Sequence, residues 1–145
     1  HLEYPSIRKT MKKLLSIHYS AFAFNASMLL LRVAFGILMM SHGYDKLVHF
    51  NERKSDFYNL FGIGSTSSLV LSIFAEFFCA LFLIIGLFTR VVAVPLVINM
   101  SVALFSVHNM DFFNTGEKAT IFLVGFLTLL FCGPGRVSVD GIASK

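Results

Sequence analysis

The chain has 145 residues, of which 56% are hydrophobic and only 14% charged, whereas soluble domains carry about a quarter charged residues. Seventeen phenylalanines and no tryptophan suit contact with lipid, and the composition argues against an aqueous exterior. The net charge of +4 does not indicate nucleic acid, because the basic residues flank apolar blocks instead of forming a patch with interleaved aromatics.

The first ten residues precede Met11-Lys12-Lys13, which reads as a natural start. Residues 1–10 are therefore expected to be either non-native or an upstream extension outside the fold, and 1–25 an N-terminal tail. His18, Ser20 and Asn25 interrupt the apolar core that a signal peptide would need.

A single membrane domain is expected over residues 26–140, with a short tail at 141–145. Its first span runs from about Ala26 to Lys46, with Arg32 the only charge before Asp45. The second, Leu69 to Phe88, carries one charge, Glu76. The third, Val91 to Val107, carries none, and the fourth, Glu117 to Cys132, is charged only at its start. About 20 residues of helix cross a hydrocarbon core, with roughly 17 as a lower limit, so the last two need help from their flanks.

The connections are short. Asn51 to Ser68 is a loop in which Ser67 or Ser68 is placed to cap the second helix. Thr89-Arg90 reads as a tight turn, Pro95 falls near the start of the third helix, and Gly133-Pro134-Gly135 ends the fourth. The expected fold is an all-α, up-down-up-down bundle of four transmembrane helices. Basic residues weigh toward the end that holds both termini and Arg90. That balance predicts N and C termini in the cytoplasm of a bacterial inner membrane.

Polar residues within apolar blocks are the functional candidates. Glu76 is foremost, since a carboxylate inside a span is costly and such residues pair, face the bundle interior and mark function. It could equally serve as hydrogen-bonding glue between helices. His42 and Lys46 close the first helix, His108 ends the third and Glu117 opens the fourth. An antiparallel bundle brings all four to one end, with Glu76 below them. Lys46 and Glu117 also fit the simpler role of interfacial charges. His42, Asp45 and His49 form only a weak ligand stripe, and no metal motif is present. Axial haem ligation by His42 and His108 has no further support. Cys79 and Cys132 lie in separate apolar blocks without a C-x-x-C pair, which disfavours thiol exchange.

Leu31-Arg32-Val33-Ala34-Phe35-Gly36, His42-Gly43 and Lys46-Leu47 resemble the opening helix of the DoxX family. Glu76, followed by Leu83-Ile84-Ile85-Gly86-Leu87-Phe88-Thr89-Arg90, is similar to that family's second helix and turn. Cys132-Gly133-Pro134-Gly135-Arg136-Val137-Ser138-Val139-Asp140 is similar to its G-P-G-R-x-S-x-D tail. Phe77 and Phe78 depart from the pattern, which often has small residues after the glutamate. The resemblance implies a small inner-membrane protein. Some relatives are membrane subunits of a thiosulfate–quinone oxidoreductase, and others are associated with oxidative-stress or thiol-handling complexes.

The first expectation is a quinone-interacting subunit of an oxidoreductase complex, with Glu76, His42, His108, Lys46 and Glu117 as the quinone and proton site. The chain carries no cofactor motif of its own, so a protein partner would supply the electrons. The second is a non-enzymatic assembly or scaffold protein, which acts through a protein partner or as a homo-oligomer. A small-solute transporter ranks third, because no broken-helix repeat is evident.

Overall fold

The computed structural model describes residues 4–145, and the side chains from residue 7 onward. Helix α1, Tyr4–Leu14, runs through Met11 without a break. Helix α2, Ala21–Val48, follows, and α3, Phe50–Arg53, is a single turn. After a 3-10 turn at Leu60–Gly62 come α4, Ser65–Ile85, and α5, Thr89–Val107. Helix α6, Glu117–Cys132, and the short α7, Val139–Ala143, complete the chain. Among the described residues there is no strand.

Three helices, α2, α4 and α5, are long and apolar enough to cross a membrane. At 1.5 Å per residue, the 28 residues of α2 extend well beyond a hydrocarbon core of about 30 Å. Helix α6 has 16 residues and falls short of the length of the other three. Many large apolar side chains of these helices face outward: Leu30 is 72% exposed, Val124 58% and Ile98 55%. That surface would be costly in water and is what a lipid-facing helix presents.

Helix α2 begins before the expected Ala26 because the Ser20 hydroxyl accepts the Ala23 N–H at 3.0 Å, a standard N-terminal cap. Helix α4 also starts early, and neither Ser67 nor Ser68 caps it. Gly64 stands at the cap, while the Ser68 hydroxyl donates to the Gly64 carbonyl at 2.7 Å and accepts the Leu60 N–H at 2.9 Å. Ser68 thus ties the preceding 3-10 turn to the helix.

The tight turn lies at residues 86–88, and Thr89 and Arg90 already belong to α5. Gly86 (φ 73°) and Phe88 (φ 50°) both adopt left-handed backbone. Gly86 also has no room for a side chain, since a Cβ there would lie 2.5 Å from that of Ser138 and 3.0 Å from the Arg32 guanidinium. Because α5 starts at Thr89, Pro95 stands well inside it and leaves the Val91 carbonyl without its helical donor.

The tail locks this end of the bundle. Arg32 is 2% exposed and donates to the backbone carbonyls of Ile84 (3.3 Å), Val137 (2.6 Å) and Pro134. Asp140 accepts the N–H groups of Phe88 and Thr89, both at 2.8 Å, and so caps α5 from outside. Asn25 accepts the Arg136 N–H at 2.6 Å. Between these polar ties the core is apolar, with Met39, Leu83, Leu96, Phe126 and Leu129 buried. Phe35 meets Phe122 and Phe126 edge-on, with centroids 5.5 and 6.2 Å apart.

Candidate functional site

Helix α4 is not regular throughout. Residues Phe74–Cys79 form a π-helical segment, a feature that recurs at functional sites because the wider turn re-aims side chains. Glu76 sits within it and is 3% exposed. Gly43 of α2 packs directly onto this segment, and a Cβ there would stand 2.6 Å from the Phe77 nitrogen. The absence of a side chain on α2 therefore supplies the close approach, and Phe77 and Phe78 do not prevent it.

One turn beyond Gly43, Lys46 reaches across, and its ammonium pairs with Oε2 of Glu76. The other oxygen, Oε1, accepts Asn99 Nδ2 from α5 at 2.7 Å and the Ser72 hydroxyl from α4 at 3.3 Å. One carboxyl group thus joins α2, α4 and α5. The Lys46 side chain is 18% exposed and that of Glu76 only 4%, so the pair is shielded from water and the partners depend on each other.

Above this cluster is a cleft of about 700 Å³, a size suited to a small organic ligand. Lys46, Ser72, Glu76 and Asn99 form its polar wall, and Leu71, Phe74, Ile98 and Val102 contribute apolar wall. Arg53, Asp56 and Tyr58, from the segment after α2, border it, as does His108. A second π-helical segment, Ala103–Val107, ends α5 at the same place, where the His108 N–H donates to the Ala103 carbonyl at 3.0 Å.

Of the residues singled out by sequence, Glu76, Lys46 and His108 share this cleft. His42 and Glu117 do not. His42 is exposed and turns its ring edge-on to Phe122 of α6, with centroids 5.9 Å apart. Helix α2 lies between α4 and α6, and although His42 and Lys46 are one turn apart on nearly the same face, His42 meets Phe122 of α6 while Lys46 reaches Glu76 of α4. Glu117 is exposed at the start of α6, outside the cleft lining. His49 turns to Asp45, with Nδ1 3.1 Å from Oδ1, and Arg53 holds the other oxygen of Asp45 at 2.7 Å. No group of three or more candidate metal ligands occurs among the described residues. Cys79 is buried in the core and Cys132 is exposed; neither is in a disulfide.

Asn99 and Ser72 are functional candidates that reasoning from charge alone passes over. The available signal was polarity within an apolar span, since an asparagine at that depth needs a partner on another helix.

The apolar helices of spanning length and the polar cluster between them define an all-helical, multi-pass membrane protein. The DoxX family model matches residues 27–109, more than half of the chain, and the protein belongs to the DoxX family. It is also similar to an uncharacterized membrane protein of Mycobacterium tuberculosis, with 28% identity over 134 residues covering 82% of each chain. No solved structure matches the chain.

Proposed function

We propose that this DoxX-family protein is the quinone-binding membrane subunit of an oxidoreductase complex. One observation carries the reading: a carboxyl group held by three donors forms part of the wall of an otherwise mostly apolar cleft between apolar helices. A quinone head has carbonyl oxygens that accept hydrogen bonds. The Lys46 ammonium has three N–H donors, of which Glu76 occupies one. His108 at the rim offers a ring nitrogen for the same purpose. Apolar side chains of α4 and α5 would hold the ring and an isoprenoid tail.

Reduction of a quinone to the hydroquinone takes two electrons and two protons. In this scheme a partner protein supplies the electrons, because the chain carries no redox-cofactor motif. Glu76 and Lys46 relay protons to the carbonyl oxygens. His42 and Glu117 have no part in that step.

The expected topology has four spans, with α6 as the fourth. Gly116, just before α6, packs against Leu104 at one end of α5, and Gly133, just after it, lies beside Arg90 at the other. Helix α6 thus runs the length of α5, which is itself long enough to cross. Both termini are assigned to the cytoplasmic side of a bacterial inner membrane on the basic residues at that end.

The second reading is a non-enzymatic assembly or scaffold role. It is favoured by the saturation of Glu76, whose contacts with α2, α4 and α5 are also what structural glue requires. Extraction in mild detergent, with mass spectrometry of retained lipids and co-purifying proteins, separates the two. Stoichiometric quinone together with a redox partner is the expected result. A stable partner without quinone would overturn the first reading in favour of the second.

A further inference from the structure

Helix α1 is unlike the spans. Viewed down its axis, Ile7, Met11 and Leu14, together with Leu15 just beyond the helix, fall within a sector of about 100°. Arg8, Lys9, Lys12 and Lys13 fall in the adjoining sector of about 140°. The two sets do not mix.

The apolar sector is not used by the fold. Ile7 is 60% exposed, Met11 54%, Leu14 80% and Leu15 76%. The apolar exposure continues through Ile17 and Tyr19 into Phe22 at the start of α2. A short connection, residues 15–20, ties α1 to the start of α2, a helix long and apolar enough to cross a membrane, and a helix so tethered is within reach of the bilayer surface.

That end is also basic. A groove of about 770 Å³ is lined by Tyr19, Asn25, Arg90 and Arg136, among others. Both arginines lie on the side of the molecule from which α1 emerges. Arg90 donates to the Phe131 carbonyl at 3.2 Å. The one carboxylate bordering the groove, Asp140, accepts the backbone N–H groups of Phe88 and Thr89.

We propose that α1 is an interfacial helix that lies flat on the membrane and docks on anionic phospholipid headgroups. Its apolar sector enters the boundary between headgroups and acyl chains; Arg8 and Lys12, which adjoin that sector, reach the lipid phosphates together with Arg90 and Arg136, and Lys9 and Lys13 lie farther round, toward water. Charge complementarity selects this occupant. A protein groove could cover the apolar sector, but a bilayer surface is already within reach and satisfies the basic and apolar sectors together.

The test exploits the absence of tryptophan from the chain. Single reporters are placed on the two faces of α1, as Leu14→Trp and Lys13→Trp, in the full chain reconstituted into bilayers. One set of vesicles is phosphatidylcholine alone and the other is rich in phosphatidylglycerol. In phosphatidylglycerol-rich vesicles, the Leu14→Trp reporter is expected to emit at shorter wavelength, to be quenched by lipids brominated near the headgroup and to resist acrylamide. The Lys13→Trp reporter is expected to stay accessible to acrylamide. In phosphatidylcholine alone, or when Arg8, Lys9 and Lys12 are all changed to Glu, the Leu14→Trp emission should shift toward that of water-exposed tryptophan.

Water-like emission and full acrylamide quenching of Leu14→Trp in both vesicle types would overturn the proposal. Equal bromolipid quenching in the two would overturn the anionic-headgroup assignment. Neither reporter lies in the bundle, so bundle folding is checked independently by thermal unfolding of each variant.

Discussion

Gly43 and Glu76 lie backbone against backbone, so that a Cβ on Gly43 would stand 2.7 Å from the Glu76 carbonyl carbon. This contact sets the distance between α2 and the π-helical part of α4, and Lys46 reaches Glu76 only because of it. Gly43→Ala is expected to lower the thermal stability of the purified protein by about 1–3 kcal/mol, the usual cost of overpacking, and to reduce quinone retention with it. Unchanged stability and retention would show that α2 can move aside without harm to the site.

The Lys46–Glu76 pair should show strong coupling. Lys46→Met strands a buried carboxyl group, and breaking a shielded pair from one side costs about 3–5 kcal/mol, with the partial exposure of Lys46 placing this case toward the low end. Glu76→Gln strands the lysine but keeps an oxygen for Asn99. The double variant is expected to be more stable than Lys46→Met alone, as chemical unfolding in detergent would reveal. Strict additivity of the two single effects would refute the pairing.

Arg32 is a structural residue in this account. Its guanidinium satisfies three backbone carbonyls that end α4 and hold the tail. Arg32→Lys offers a point charge in place of a planar fork, and each lost bond to a charged donor is worth about 1.5–3 kcal/mol. The variant is expected to unfold at lower temperature and to become sensitive to proteolysis near residues 134–140. A tail as resistant as that of the wild type would contradict this role.

Asp140 provides a pH signature. Burial raises its pKa, but the Thr89 and Phe88 N–H groups and the Arg32 charge together hold it below the ordinary carboxylate value. A carboxyl group depressed by folding contributes stability that is complete above its unfolded value. That contribution is lost as the pH falls through the lower folded value. Thermal stability of the wild type should therefore drop on acidification below about pH 4, and the drop should be smaller in Asp140→Ala. At neutral pH that variant is expected to lose about 1 kcal/mol, as for other helix caps. Identical acid profiles for the two proteins would exclude the cap as the source.

Much of the architecture was legible in the sequence. Apolar runs and short polar joints placed the helices, and the Gly133-Pro134-Gly135 stop fell where α6 ends. The helix starts were harder to see, because Ser20 and Gly64 cap from positions that a hydropathy boundary does not mark. Glu76, Lys46 and His108, which line the same cleft, stand out in the sequence through their charge or their place at helix ends. Asn99 does not, being uncharged, and the two π-helical segments leave no periodicity that a short apolar run could display. The separation of His42 from Lys46 depends on the placement of α2 between α4 and α6, a tertiary fact that spacing along one helix does not contain. Arg32 was visible as a lone intramembrane charge, but its carbonyl partners come from residues 84, 134 and 137, far away in sequence.

The central claim is that the cleft beside Glu76 holds a quinone head, and photolabelling with an azido-quinone in native membranes tests it most directly. The label is expected on peptides containing Tyr58 and on those spanning Ile98 to His108. It should be displaced by excess unmodified quinone and lost in a Glu76→Gln variant whose thermal unfolding is still cooperative. Label spread over the lipid-facing surfaces of all the spans, indifferent to both competitor and substitution, would contradict it.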